Sequence, residues 1–150
     1  MYSTYFGGKH SDSIADLTTT TTGVIVVAGE TQSTDLPTTI LAYDRTHNGA
    51  SDAFVAALDP RQSSSKQLLY STFFGSTGFD RSRTLFMDAT GVVTIAGETN
   101  SASLSTTPGA YDTSANGGQD AFVCRLVPGK NGTAQLLYST YLGGSIKKIG

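Results

Sequence analysis

Tryptophan is absent from the 150 residues and cysteine occurs once, at Cys124. A single cysteine forms no internal disulfide, so stability has to come from packing. Charged residues make up only 15% of the chain, ten basic against twelve acidic, and no block of either sign occurs. Only Lys147 and Lys148 adjoin as basic neighbours, which removes the electrostatic footprint of a nucleic-acid or anionic-membrane partner. No apolar run approaches the roughly 18 residues of a membrane span, and no basic, apolar, small-residue leader opens the chain. Met1 leads straight into the middle of a motif, as in a segment of a longer protein.

Catalytic and metal-binding signatures are missing as well. There is no phosphate-cradling glycine loop, no G-x-S-x-G elbow, no paired-cysteine zinc motif and no D-x-D-x-D-G calcium loop. The expectation is a non-catalytic protein without cofactor or metal. What the chain does hold in quantity is Thr, Ser and Gly, the balance of an all-β protein with many turns.

Self-comparison organises the rest. Tyr2, Tyr70 and Tyr138 open the same run at a constant 68-residue offset, and residues 2–69 overlay 70–137 without a gap at close to half identity. Residues 138–150 begin a third copy, YSTYLGG beside YSTYFGG and YSTFFGS, before residues 146–150 depart from both. Four stretches per copy have strand character; in the second they are 83–88, 92–99, 120–127 and 135–142. The first stretch of the first copy, near residues 14–21, is the weakest because it runs into a bare threonine tract. Gly23 and Gly91 provide tight turns between the first and second stretches, and Pro60 and Pro128 end the third.

Each copy is therefore expected to be a four-stranded antiparallel meander. Its second and third strands are apolar at neighbouring positions, which predicts a sheet covered on both faces. Radial stacking of such sheets is a β-propeller; a parallel β-solenoid is the alternative, but its coils have shorter periods and lack hairpins. The prediction is two full blades plus a partial N-terminal strand over residues 2–6, in a single propeller segment spanning 1–150. Residues 2–6 and 138–142 are then spare strands of the same kind, able to exchange between neighbouring chains.

Four motifs carry a family resemblance: 138–144 (YSTYLGG), 95–99 (IAGET), 106–111 (TTPGAY) and Asp52–Leu58 (DAFVAAL). In these the chain resembles the bacterial SBBP β-propeller repeat family. It departs from the family's glycine- and aspartate-rich approach to the first strand, with KHSDSIADL and TGFDRSRTL, although Asp12 and Asp80 remain. The resemblance implies a secreted or cell-surface setting and a binding or scaffolding role with no catalytic residues. The expected partners are other blades, from a longer chain or from further copies, with a protein or glycan ligand possible. The competing reading is an accessory or glycan-binding segment of an extracellular hydrolase.

A meander brings the second-to-third loop and the exit of the fourth strand to one rim. Asp12, Glu30, Asp44, Asp80, Glu98 and Asp112 are the candidate rim contacts, with Asn48, Asp52, Asn116 and Asp120 beside them. Because these residues recur in both copies, turn-closing hydrogen bonds are the favoured role, with weak cation or sugar binding second. Only the first copy holds His10 and His47, a two-histidine set short of a third metal ligand. Cys124 reads as a small buried hydrophobe, and Tyr70, Phe73, Phe74, Tyr138 and Tyr141 as packing between blades in preference to sugar stacking. Asn131-Gly132-Thr133 fits the glycosylation sequon, a pattern common by chance.

Overall fold

The stretches richest in Val, Ile, Ala and Phe form the central strands of two sheets, where both neighbours satisfy their backbone groups. The computed structural model describes residues 1–144. The first sheet holds β1 (Asp12–Thr19), β2 (Ile25–Thr31), β3 (Asp52–Leu58) and β4 (Leu68–Phe74). The second holds β5 (Asp80–Met87), β6 (Val93–Thr99), β7 (Asp120–Leu126) and β8 (Leu136–Leu142). Both are antiparallel meanders in sequence order. The only helical pieces among the described residues are two 3-10 segments, Ser64–Lys66 and Gly132–Gln135, before β4 and β8.

The turn chemistry works as the residue types require. Gly23 and Gly91 close the β1–β2 and β5–β6 hairpins at φ 86° and 85°, where a Cβ would be strained. Their amides donate to the carbonyls of Thr20 and Asp88. β3 and β7 stop at Leu58 and Leu126, just short of Pro60 and Pro128. Register shifts between Ile14 and Asp16 in β1, and between Ser82 and Thr84 in β5, place a bulge at the same point of each sheet.

Strand register sorts the side chains into two faces. On the front of the first sheet lie Val26, Ala28, Ala53, Val55 and Phe74; on its back lie Val27, Phe54, Ala56 and Phe73. The front of the first sheet packs on the back of the second, where Ile95, Phe122, Cys124, Leu126 and Tyr141 join it in one buried cluster. The Phe74 and Phe122 rings meet with centroids 5.5 Å apart. The sheets thus stack front to back, and the front of the second sheet carries no further layer among the described residues.

The consequence shows in two identical tetrapeptides. In Asp52-Ala53-Phe54-Val55 every residue is buried, because the first sheet is covered on both faces. In Asp120-Ala121-Phe122-Val123 burial alternates: Ala121 is exposed and Val123 half-buried. Both faces are covered in the first sheet and only the back in the second. The two tetrapeptides are identical, so the difference comes from what covers each sheet and not from the sequence of the strand.

Three further expectations are corrected. β5 begins at Asp80, ahead of the expected residue 83, because the segment pairs Asp80 with Thr99 beyond the bulge. β8 is the fourth strand of the second sheet, hydrogen-bonded to β7, so residues 138–142 are not spare. Residues 2–6 form no strand, since no neighbouring strand offers their amides a ladder. They are nonetheless placed: Phe6 stacks on Phe54 at 5.7 Å, as Phe74 stacks on Phe122, and the back cluster of the first sheet closes beneath Phe6 and Leu36. Lys147, Lys148 and the divergent stretch 146–150 lie outside the described residues.

The bulge imposes one strict requirement. Gly97 lies against the Arg81 carbonyl so closely that a Cβ would overlap it, as Gly29 does against Ser13. Backbone cannot move aside as a side-chain tip can, so Gly97→Ala should lower unfolding stability by about 1–3 kcal/mol in chemical denaturation. Gly118, with open space around it, is the control: Gly118→Ala should stay within about 0.5 kcal/mol.

Candidate functional site

The starts of β1 and β3 and the ends of β2 and β4 meet at one edge of each sheet, and all six candidate acids are found there or in the adjoining β2–β3 and β6–β7 loops. Asp80 is buried. It accepts hydrogen bonds from Thr99 Oγ1 at 2.5 Å, Ser101 Oγ at 2.8 Å and the Ser76 amide at 2.7 Å. Asp12 repeats the pattern with Thr31, Ser33 and the Gly8 amide. Each aspartate thereby ties the entry of its sheet to the segment that follows β2 or β6.

Asp44 and Asp112 close Asx turns. Asp44 accepts from the Thr46 amide at 2.8 Å and Asn48 Nδ2 at 2.6 Å. Asp112 does the same with Ser114 and Asn116, and the Ser114 amide, followed by Asn116, holds its carboxyl below the usual range. Glu30 bridges the sheets: it accepts from Arg81 Nε at 2.5 Å and Ser51 Oγ at 2.7 Å. Burial raises the Glu30 pKa, but Arg81 and Ser51 outweigh it and the net direction is down. Glu98 pairs within its own sheet with Arg83 and Gln119, and Arg83 lowers its pKa. All six acids are therefore at one rim, and all six are engaged in internal hydrogen bonds.

Asp52 behaves differently. Its Oδ2 accepts the Asn48 amide at 3.0 Å, while its buried Oδ1 has no hydrogen-bond partner and lies 2.7 Å from the position a Cβ would take on Gly75. Asp120 and Gly143 repeat the arrangement. Burial pushes the Asp52 carboxyl up to about 6, the charges of Asp80 and Asp44 add to the rise, and the Asn48 amide and His47 oppose it.

The two histidines have separate surroundings. The His10 amide donates to Ser33 Oγ, and His47 sets its ring edge on Phe73 with Nε2 at 3.3 Å from the Thr31 carbonyl. No group of three or more His, Cys, Asp or Glu side chains is disposed to hold a metal among the described residues. Cys124 is fully buried, and burial pushes its thiol well up. Phe73, Phe74, Tyr70 and Tyr141 are buried, so these rings pack; Tyr138 is half-buried and Tyr111 exposed. Asn131 is exposed in the β7–β8 connection.

A pair that sequence reasoning passed over joins the sheets at the opposite end. Tyr70 Oη donates to Gln135 Oε1 at 2.6 Å, and Gln135 Nε2 donates to the carbonyls of Lys130 and Leu41, the latter in the first repeat. Tyr2 and Gln67 make the same bond at 3.0 Å. The signal was the recurrence of Gln before Leu-Leu-Tyr in both copies. Beside this lock, Ile40, Leu41, Ala57, Leu69, Tyr70 and Pro128 line an apolar groove of about 540 Å³ between the sheets.

Compared with known protein families and with curated proteins, the chain matches none.

The buried acids predict a pH signature. Because the folded Asp52 pKa lies above its ordinary value of 3.8, the folded state binds the extra proton. The contribution of Asp52 to stability is complete below about pH 3.8 and is lost as pH rises through about 6. Asp52→Asn should therefore gain stability relative to the parent between pH 4 and 7, and carbon-13 titration of the Asp52 carboxyl should show a midpoint near 6. A midpoint near 4 would contradict the burial argument. Asp80→Ala, which strands three donors, should cost roughly 2–4 kcal/mol in thermal or urea unfolding.

Proposed function

We propose that the chain is a non-catalytic pair of β-propeller blades of the SBBP type, acting as a structural or interaction scaffold that completes a ring with further blades. The observation that carries this reading is front-to-back stacking of two sheets built from the same repeat, which leaves the front of the second sheet without its layer. Such stacking is directional: each sheet offers the next one the surface it has itself just covered. Antiparallel sheets that repeat radially close at about four to eight blades and leave few edges.

The rim supports the same reading. Its acids are held by neighbours within their own repeat or the adjacent one, which is the pattern of architecture repeated blade by blade. The exposed Tyr111, a natural sugar platform by composition, stands where Tyr43 is half covered beside Phe74 in the first repeat. Its exposure follows from the absent neighbour, so the glycan-binding reading gains nothing from it. The secreted or cell-surface setting implied by the family resemblance belongs to this proposal.

Covalent concatemers of two, three and four copies of the chain test it. If the repeats are propeller blades, one length closes, giving a monodisperse particle with a step in melting temperature over the shorter ones. A melting temperature and apparent size per repeat that do not change with copy number would overturn the reading.

A further inference from the structure

The interface between the two sheets can be carried forward by one repeat, residue by residue, because both its surfaces exist again at the ends of the chain. Adding 68 to each residue of the first sheet's front gives the front of the second: Ala28 becomes Ala96, Val55 becomes Val123, Tyr70 becomes Tyr138 and Phe74 becomes Leu142. Leu142 in β8 is 42% exposed, and Phe86 on the opposite edge strand β5 is 66% exposed. Subtracting 68 from the second sheet's back gives the first sheet's back, where Phe122 becomes Phe54 and Gln135 becomes Gln67.

That back surface is already occupied. Residues 2–6 lie on it as β4 lies on the second sheet: Tyr2 bonds Gln67 as Tyr70 bonds Gln135, and Phe6 covers Phe54 as Phe74 covers Phe122. The segment stands in for the last strand of a preceding sheet, without the sheet.

We infer that a second copy of this chain docks head to tail on the first, its strand β8 displacing residues 2–6 and setting Tyr138 on Gln67 and Leu142 on Phe54. This rests on the stacking reading above and names its partner. The occupant is a second copy because the surface it needs is the one the chain itself presents at Ala96, Val123, Tyr138 and Leu142. Residues 2–6 are then a self-cap that competes with assembly.

The carried-forward interface lacks one element of the internal one. Inside the chain, Glu30 of β2 accepts from Arg81 of β5 across the seam. One repeat on, Glu98 would face Ser13 of the docked copy, since Ser13 holds the position of Arg81. Thr94 and Arg125 also replace Val26 and Ala57, and Arg125 is paired with Asp88, so the open front is more polar than its internal counterpart. Docking between copies is accordingly weaker than stacking within one.

Ser13 is exposed, which permits a gain-of-function test on the intact chain. Sedimentation equilibrium on Ser13→Arg should show self-association tightened roughly two- to fivefold. The gain should disappear in high salt and in the double variant with Glu98→Gln, and Ser13→Glu should weaken association. Tyr2→Ala with Phe6→Ala should strengthen association by releasing the cap, with circular dichroism confirming an unchanged β spectrum. Equal association in Ser13→Arg and Ser13→Glu, or no response to loss of the cap, would overturn the docking. Concatemers that still close in that case would leave the stacking reading standing, because they do not rely on contact between separate chains.

Discussion

The apolar seam between the front of the first sheet and the back of the second governs everything else in this molecule. A four-stranded meander has two faces, and in the first sheet both are apolar at the central strands. Neither sheet can keep both faces dry alone. Val55, Phe74, Ile95 and Phe122 are each withdrawn from water at this seam, and each such side chain contributes roughly 1.5–3 kcal/mol by that withdrawal. Directional stacking follows, because the two faces of one sheet differ while the same face of both sheets is nearly the same.

Polar groups register the seam without driving it. The Tyr70–Gln135 bond at one end and the Glu30–Arg81 pair at the other fix how far one sheet slides on the next. Between them Asp16 accepts from Thr84 Oγ1 and the Leu85 amide of edge strand β5, a ladder position that would otherwise face solvent. The recurring aspartates act one level down. Asp12 and Asp80 brace the entry of each sheet, and Asp44 and Asp112 shape the long loops.

Much of this was legible from the residues. The 68-residue repeat, the positive-φ glycines and the prolines after β3 and β7 located seven of the eight strands to within a few residues, and β1 emerged from the weak threonine-rich stretch. The recurring acids that the sequence placed at one rim are found in internal hydrogen bonds. What was not legible depends on neighbours. Residues 2–6 are close in sequence to β4 and β8 yet form no strand, because a strand is a pairing and no described strand pairs with them. Ala53 and Ala121 occupy identical tetrapeptides with opposite exposure because of what covers each sheet. Gln67 and Gln135 were passed over, although Gln recurs before Leu-Leu-Tyr in both copies, because the tyrosine each one meets lies 65 residues away in the chain.

Native-state hydrogen exchange on Phe122→Ala tests the seam most directly. Phe122 belongs to β7 of the second sheet but fills the space against Phe74 of the first, and truncating it should cost about 3–5 kcal/mol. If the two sheets depend on one another, amides in β2 and β3 lose protection together with those in β6 and β7. Retention of full protection in β2 and β3 while the second sheet alone exchanges faster would contradict the account.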